Sequence, residues 1–412
     1  MAESRLFSFW HDATPEARRA LVAASLGWML DAFDVMLYAL VLASLMSDLG
    51  MAKSTAGLLG SLTLVASAVG GVIFGIVADR FGRTRALMAS ILIYSVFTFA
   101  CGLAQTVLQL AAFRVLLGLG MGGEWASGAA LVSETWPAKH RGKALGLVQS
   151  SWAVGYGLAA LVTLIVLPRF GWRAVFFVGV LPALFTWWIR RRVSEPQIWE
   201  RTRAVGQPRA AGLRAIFGPG LLRFTVAVTV MNGCTMFAWW GFNLWIPAYL
   251  SLPASKGGVG LSAEVMSIFI VVMQIGMWFG YVTFGFVSDA LGRKRTYVVY
   301  LATAAALVLA YAGTRSPVVL LLLGPFVAFF GTGYFSGFGA VTAEIYPTAI
   351  RATAQGLTYN IGRIASAVAP FVVGSLADTR GFDVALSTTA VSFVLAAVTW
   401  VWIPETRGRE LA

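Results

Sequence analysis

Five charged side chains lie inside long apolar stretches of this sequence. They are Asp31, Asp34, Arg114, Glu124 and Arg363. A charge at the centre of a lipid bilayer costs about 2.5–3.5 kcal/mol on insertion scales, so each of these residues needs a partner or a function. Carboxylates can take up and release protons, and a guanidinium can hold an anion. The five residues therefore predict chemistry with protons and anions inside a membrane.

The spacing of these residues places several of them near the middle of the bilayer. Asp31 and Asp34 are three residues apart and lie on one face of a helix. At about 1.5 Å per residue, they lie roughly 17 and 21 Å along a helix that begins near residue 20. Arg363 lies roughly 18 Å beyond Arg351 in the same way. These depths predict a polar site near the bilayer midplane.

Arg363 is the best candidate to hold a substrate, because its planar fork suits a carboxylate and its own helix offers no acidic neighbour. Pairing of Arg363 with Asp31 or Glu124 is the alternative. The only two histidines, His11 and His140, lie outside the apolar stretches, so a histidine relay is excluded. Neutral hydrogen bonds and an aromatic wall are expected from four further residues, although such residues also bridge helices or face lipid: Asn243, Gln274, Asn360 and Trp240.

The composition indicates that a membrane protein positions these residues. Of 412 residues, 58% are hydrophobic and 12% are charged, against about 25% charged in a soluble domain. This excludes a soluble globule, a disordered chain and a secreted disulfide scaffold. The two cysteines, Cys101 and Cys234, lie in apolar stretches and predict neither a disulfide framework nor a metal site. No cofactor is predicted, and no catalytic constellation indicates an enzyme.

Apolar windows of about 20 residues recur along the whole chain, and each is long enough to cross a bilayer. Twelve spans are predicted, near residues 20–45, 55–78, 86–104, 107–134, 143–167, 173–190, 223–250, 262–288, 296–313, 317–343, 352–377 and 384–403.

The distribution of Lys and Arg predicts the orientation of these spans. The net charge is +13, and most of the 31 basic residues fall in the loops on the same side as the termini. The positive-inside rule then places both termini in the cytoplasm of a plasma (bacterial inner) membrane. The basic charge is thereby explained by topology in a lipid bilayer, and no nucleic-acid partner is predicted. A monomer is expected.

Charged motifs recur at a constant offset of 210 residues. Asp79 matches Asp289, Glu134 matches Glu344, and Glu195 matches Glu405. Three matches at one offset predict two six-helix bundles of parallel topology. The domains are predicted at residues 1–190 and 223–412, joined by a cytoplasmic linker at 191–222.

The repeated loop, Gly75 to Arg85 and Gly285 to Arg295, resembles the signature of the major facilitator superfamily of transporters. The resemblance covers essentially the whole chain. The segments Gly27–Asp34, Arg114–Glu124 and Gly171–Phe177 are similar to the sialate and monocarboxylate proton symporters, and branches for aromatic acids and sugars share parts of them. The family implies an all-α membrane protein with twelve transmembrane helices in two pseudo-symmetric bundles.

The resemblance implies proton-coupled symport of a small organic monocarboxylate by alternating access. Proton symport of aromatic acids, sialic acid or sugars is the alternative. Drug–proton antiport is less favoured, since the fifth span lacks the Gly-Pro pair usual in antiporters of this superfamily. By the same resemblance, Asp34 is expected to pair with Arg114 in coupling, with Asp31 and Glu124 as further proton carriers. A permanent ion pair that only fixes helix packing is the other interpretation.

The recurring charges at the cytoplasmic loop ends predict an ion-pair gate that ties the halves together while the inside is closed. Ordinary helix-end charges in a hydrated zone are the alternative. Ala290 stands where the first copy has Arg80, so the second copy is expected to be weaker. The gate residues are Asp79, Arg83, Glu134, Arg141, Glu195, Asp289, Arg293, Glu344, Arg351 and Glu405.

Overall fold

The computed structural model describes residues 10, 13–136, 141–195, 216–346 and 351–407. Within these residues the secondary structure is helical, and no β-strand is present. The α-helices are α1 (Pro15–Leu49), α2 (Lys53–Phe81), α3 (Arg83–Leu103), α4 (Val107–Thr135), α5 (Arg141–Val178), α6 (Pro182–Arg192), α7 (Leu222–Ser251), α8 (Ala263–Leu291), α9 (Arg293–Ala312), α10 (Pro317–Thr332), α11 (Phe338–Ile345), α12 (Arg351–Ser366), α13 (Ala369–Thr379) and α14 (Phe382–Thr399).

Ten helical segments of the described chain are long and apolar enough to cross a membrane. One of them, Lys143–Arg192, has 50 residues and contains a non-helical residue, Gly171, with φ of 75°. Large apolar side chains such as Leu108 and Phe170 are exposed on the outer surface, at 80% and 69%. The all-helical membrane architecture is thereby confirmed, whereas the count of twelve spans and the cytoplasmic termini stay predictions.

Two breaks in the helices lie near the middle of the molecule. Pro370 has no backbone N–H and stands in the first turn of α13, so α12 ends at Ser366 and a new helix begins at Ala369. Helix α10 ends at Thr332 and is followed by a 3-10 helix, Gly333–Gly337, before α11 begins. Irregular backbone at this depth is tolerated where it is buried in protein or lines a cavity.

The first half of the chain (residues 13–195 as described) packs against the second half (216–407). We call the side on which α1 begins the terminal face, and the side on which α1 ends and α2 begins the loop face. Near the loop face, the amide of Phe371 in α13 donates to Ser61 Oγ in α2 at 3.2 Å. Tyr156 in α5 donates to the carbonyl of Asn243 in α7 at 3.3 Å.

The contacts of Lys53, Ser54, Ser61, Ser67 and Tyr156 with the second half lie between the loop face and the centre of the molecule. At the terminal face, the ion pairs of the described residues each join two residues of one half. The conformation is therefore closed at the loop face. Residues 196–215, most of the predicted linker, lie outside the described residues.

Candidate substrate and proton site

A central cavity lies between the two halves, and about 440 Å³ of space there is free of protein atoms, part of it open to solvent. Seven of the ten described residues around it are aromatic, and one is a permanent cation. The lining residues are Trp28, Gln149 and Trp152 from the first half, and Met236, Trp239, Trp240, Tyr281, Phe335, Tyr359 and Arg363 from the second half.

Five of the seven aromatic residues of the cavity form a continuous cluster of ring contacts: Trp28, Trp152, Trp239, Trp240 and Phe335. The ring centroids of Trp28 and Trp152 are 4.7 Å apart, and those of Trp152 and Trp239 are 5.5 Å apart. Trp239 and Trp240 meet edge to face at 4.7 Å. The indole Nε1 atoms of Trp152 and Trp239 are buried and have no hydrogen-bond partner. The walls therefore suit a flat apolar group that also carries a hydrogen-bond acceptor.

Arg363 brings a buried positive charge to this cavity. Its side chain is 6% exposed, and its Nη2 donates to Ser67 Oγ of α2 at 2.6 Å. The residue stands in the last turn of α12, where the partial negative charge of a helix C-terminus stabilises a cation. The break after Ser366 therefore positions the guanidinium. A carboxylate in the cavity would meet a group suited to bind it with two parallel hydrogen bonds.

Three carboxylates of the first half lie beside Arg363 or beside one another. Asp31, Asp34 and Glu124 are each 1% exposed. Asp31 and Glu124 both interact electrostatically with Arg363 across the boundary between the halves. Asp34 interacts electrostatically with Asp31. The predicted proton site and the predicted anion site are thus neighbours.

The expected pairing of Asp34 with Arg114 is not present in this conformation. The guanidinium of Arg114 lies over the ring of Tyr38 instead, 4.0 Å from its centroid. Tyr38 follows Asp34 by one helical turn on α1 and occupies the space beside Arg114. Both carboxylate oxygens of Asp34, and Nε and Nη1 of Arg114, are buried without a hydrogen-bond partner.

Of the other predicted substrate ligands, only one lines the central cavity. Trp240 lines the central cavity. Asn243 lines a smaller cavity in the second half and donates to the carbonyl of Trp239 at 3.1 Å. Gln274 is buried with neither amide atom hydrogen-bonded. Asn360 is exposed, donates to Gly356 of its own helix at 2.9 Å, and is not among the residues that line the central cavity.

Several cavity residues were not predicted, although helical spacing could have identified them. Trp28 lies three residues before Asp31, and Tyr359 lies four residues before Arg363, so each shares a helix face with a predicted site residue. The third missed feature is Tyr94 of α3. It is fully buried, its hydroxyl has no hydrogen-bond partner, and it interacts electrostatically with all three carboxylates.

The predicted gate residues form two equivalent networks, one in each half. Arg83 pairs with Glu134 at 2.9 Å in the first half. Arg293 pairs with Glu344 at 3.1 Å in the second half, and it also binds Asp289 of α8. The motifs that are 210 residues apart in sequence thus make the same contact in space.

Glu195 and Glu405 cap the helices that follow the repeated loops. Glu195 accepts from the amides of Thr84 and Arg85, each at 3.2 Å, at the start of α3. Glu405 accepts from Arg293 and Lys294 at 2.8 and 3.1 Å, at the start of α9. Slight desolvation raises the pKa of Glu405, but hydrogen bonds from four backbone amides outweigh it and hold that pKa below the ordinary value.

The glycine before each of these helices is required by this cap. Gly82 and Gly292 have φ of 120° and 98°, which L side chains rarely adopt. A methyl group on Gly82 would also lie 2.3 Å from Glu195 Oε1. The signature loop therefore combines a glycine turn with a glutamate cap.

Among the described gate residues, the ion pairs of Arg83 with Glu134 and of Arg293 with Glu344 each lie within one half. A gate across the halves stays a prediction for a conformation with the terminal face closed. The remaining gate side chains, those of Asp79, Arg141 and Arg351, lie outside what the structure describes.

Comparisons with known proteins agree with this geometry. The sequence profile of the Major Facilitator Superfamily matches residues 24–255 and 250–412. A protein of Cupriavidus pinatubonensis named "Probable 4-methylmuconolactone transporter" is 33% identical over 98% of this chain and 94% of its own length. The cis,cis-muconate transport protein of Acinetobacter baylyi is 31% identical over 92% of each chain.

A solved structure shares the fold. The crystal structure of a D-xylose-proton symporter superposes with a TM-score of 0.77 at 20% identity, over 96% of this chain and 100% of that one. The protein is thus a multi-pass protein of the bacterial inner membrane, and it is a transporter rather than an enzyme. Because the family profile matches nearly the whole length of the chain and the signature loop occurs twice, the chain belongs to the Major Facilitator Superfamily.

Proposed function

We propose that the protein is a proton symporter for a planar, unsaturated organic carboxylate, with an aromatic monocarboxylate as the best fit. The observation that carries this proposal is the position of Arg363 in the wall of an aromatic cavity between the halves. The guanidinium would bind the carboxylate, and the rings would contact the flat apolar part. The free indole donors of Trp152 and Trp239 add hydrogen bonds to acceptors on the substrate.

The chemistry of the cavity wall favours a planar acid over a lactate-like one. Seven aromatic residues offer a flat unsaturated acid an extended contact surface, whereas a three-carbon acid has little apolar surface to place against them. A sugar or sialic acid would need many polar partners, whereas Gln149 and Arg363 are the main non-aromatic polar residues of this wall. The relatives named for cis,cis-muconate and 4-methylmuconolactone support an unsaturated compact substrate.

The balance of buried charge supports coupling to protons. Among the described residues, the membrane interior around the cavity holds three carboxylates and two guanidinium groups. Fully ionised, these groups sum to one negative charge, and a substrate anion would add a second. Each uncompensated charge in this region is costly. Uptake of one proton by the carboxylates that face Arg363 would offset the substrate charge and make transport of a monoanion electroneutral.

Alternating access follows from the way the halves meet. With the termini in the cytoplasm, as the distribution of Lys and Arg predicts, the closed loop face is the outer side. The conformation then faces inward, and rocking of the halves would expose the same cavity outward. Asp31 and Glu124 belong to one half and Arg363 to the other, so this motion would change their separation. Such a change couples proton release to substrate release.

Thermal unfolding of the purified protein in detergent, with and without added compounds, tests the substrate class. Benzoate and cis,cis-muconate are expected to raise the melting temperature in a concentration-dependent way, because a ligand that binds only the folded state stabilises it. Lactate, sialic acid and D-xylose are expected to raise it less. Stabilisation by D-xylose or sialic acid but not by the planar acids would contradict the proposal.

A matched pair of variants tests the role of Arg363. Arg363→Gln is expected to abolish stabilisation by benzoate. Arg315→Gln removes an arginine that pairs with Asp383 away from the cavity, and it should leave the response to benzoate intact. Undiminished binding of benzoate to the Arg363→Gln variant would assign that arginine to packing.

A further inference from the structure

A second, smaller cavity lies behind Trp239, entirely within the second half. About 260 Å³ of space there is free of protein atoms, part of it open to solvent. Apart from Asn243 and Thr332, the described residues of its walls are apolar or aromatic. The lining residues are Trp239, Phe242 and Asn243 of α7, Met273 of α8, Val308 of α9, Val327, Ala328, Gly331 and Thr332 of α10, and Phe393 of α14.

Within the described part of the chain, Trp239 alone lines both cavities. It is 4% exposed, and its ring contacts Trp152 and Trp240 on the side of the central cavity. Phe335 lies in the 3-10 helix after α10, and its ring centroid is 6.3 Å from that of the same indole. One side chain therefore lies between the substrate cavity and a second, mainly apolar space.

We propose that Trp239 determines the size limit of the substrate by closing the central cavity against this second cavity. The inference rests on the proposed function, because the ligand that it limits is the planar carboxylate held by Arg363. Removal of the indole would join the two spaces. A longer acid could then place its apolar end between α7, α8 and α10 while its carboxylate stays at Arg363.

The indole acts here through its shape and not through a fixed hydrogen bond. Its Nε1 is buried without a partner, so no contact within the described protein holds the donor in place. The donor faces a substrate acceptor or stays unsatisfied, whereas the ring always blocks the passage. A smaller aromatic side chain at position 239 should still separate the two cavities, whereas the methyl group of alanine should not.

Binding of benzoate and of biphenyl-4-carboxylate to detergent-purified variants tests the proposal by calorimetry. The second acid carries one extra ring. Trp239→Ala is expected to gain affinity for biphenyl-4-carboxylate, on the order of ten- to a hundred-fold, because one ring becomes buried in apolar surroundings. Trp239→Phe should keep the preference for benzoate. Size-exclusion profiles and melting temperatures establish that both variants fold.

A filling substitution in the second cavity makes the test specific. A methyl group on Gly331 would meet only the ring of Phe393, at 3.6 Å, so Gly331→Val should fit and occupy the space. Added to Trp239→Ala, it should abolish the gained affinity. Added to Trp240→Ala, which enlarges only the central cavity, it should change nothing.

The outcomes separate this inference from the proposed function. If the wild type binds benzoate and Trp239→Ala gains no affinity for the longer acid, the partition role is overturned while the transport proposal stands. A gain that survives Gly331→Val overturns it as well, because the extra ring then lies elsewhere. If no variant binds either acid, both proposals fail.

Discussion

The carboxylate of Asp378 accepts a hydrogen bond of 2.7 Å from the backbone amide of Ser54. Asp378 lies near the end of α13 in the second half, and Ser54 lies in the first turn of α2 in the first half. The same carboxylate accepts from the amide of Lys53 at 3.2 Å. Helix α2 has no side-chain cap of its own at Ala52. Its N-terminus is therefore capped by the opposite half of the protein.

The contact is reciprocal. Lys53 Nζ donates to the carbonyl of Ala377 at 3.1 Å, near the C-terminus of α13, and lies 4.0 Å from Asp378. A lysine at a helix N-terminus and an aspartate at a helix C-terminus are each unfavourable for their own helix dipole. Each charge becomes favourable when the two helix ends meet, because Asp378 then faces the N-terminus of α2 and Lys53 faces the C-terminus of α13. The contact thus stabilises the conformation in which the loop face is closed.

Asp378→Ala, which removes both acceptor oxygens, is expected to shift the protein toward the conformation with the loop face open. Loss of one helix cap costs about 1 kcal/mol, which corresponds to about fivefold in the conformational equilibrium. Spin labels at two exposed positions of the loop face, Gln105 and Ser316, report the separation of the halves by pulsed EPR once Cys101 and Cys234 are replaced. The longer distance should gain population in the variant.

Two controls distinguish capping from simple charge attraction. Asp383→Asn removes an acid of the same face that pairs with Arg315 within the second half, at 3.2 Å, and it should not change the distances. Exchange of Lys53 and Asp378 restores opposite charges but leaves the amides of α2 without an acceptor. Full recovery of the closed state in this exchange variant would rule out the capping mechanism.

Asp31 and Glu124 are expected to couple transport to the proton gradient, because both interact with Arg363. Proteoliposomes with an alkaline interior should accumulate labelled benzoate through the wild type. Asp31→Asn and Glu124→Gln should lose this accumulation and still exchange internal for external benzoate. The measurement is the ratio of gradient-driven uptake to exchange.

Asp34→Asn is the comparison for these variants, since Asp34 interacts with Asp31 rather than directly with Arg363. A smaller loss of accumulation is expected for it. Complete loss in Asp34→Asn together with normal accumulation in Asp31→Asn would return the coupling role to Asp34 and Arg114.

Much of this architecture follows from the sequence because the bilayer constrains it strongly. Long apolar runs must become helices, since no water satisfies backbone groups within lipid. The offset of 210 residues predicted equivalent charges, and Arg83–Glu134 and Arg293–Glu344 form the same pair in the two halves. Burial of the five intramembrane charges inside the protein also follows from the sequence, because exposure of a charged side chain to lipid is costly.

The partners of those charges could not be predicted from the sequence. Arg114 selects the ring of Tyr38 over the carboxylate of Asp34, and that choice depends on the rotation of α1 against α4 and not on spacing. The aromatic residues that form the cavity wall could not be predicted from the sequence either. An aromatic residue in an apolar helix has the same sequence signature whether it faces lipid, as the 37% exposed Trp278 does, or a cavity, as Trp152 does.

Glu405→Gln is expected to destabilise the protein by about 1 kcal/mol at neutral pH, because it weakens the cap of α9. The pKa of Glu405 lies below its ordinary value, so its ionised form is favoured by folding. This contribution is present above the ordinary carboxyl pKa of about 4.3 and is lost as the pH falls through the lower pKa of the folded state. Melting temperatures of wild type and variant should therefore converge as the pH falls below the lowered pKa of the folded state.

Glu195→Gln is the equivalent variant in the first half of the protein, for comparison at neutral pH. Glu195 caps α3 through two backbone amides, as Glu405 caps α9. A similar loss of melting temperature is expected for both. If Glu405→Gln remained as far below the wild type at pH 3 as at pH 7, the ionised carboxylate would not be the stabilising species.

The stacking of Arg114 on Tyr38 predicts that the ring, and not the hydroxyl, is the larger stabilising element. Tyr38→Phe removes only the hydrogen bond of 2.8 Å to the carbonyl of Ala56, which is worth about 1 kcal/mol. Tyr38→Leu also removes the face under the guanidinium, where a desolvated cation–π contact contributes about 2 kcal/mol. Thermal unfolding in detergent should show the larger loss for leucine. In an Arg114→Met background the two substitutions should differ much less, because no cation remains to stack, and an undiminished difference would assign the effect to packing alone.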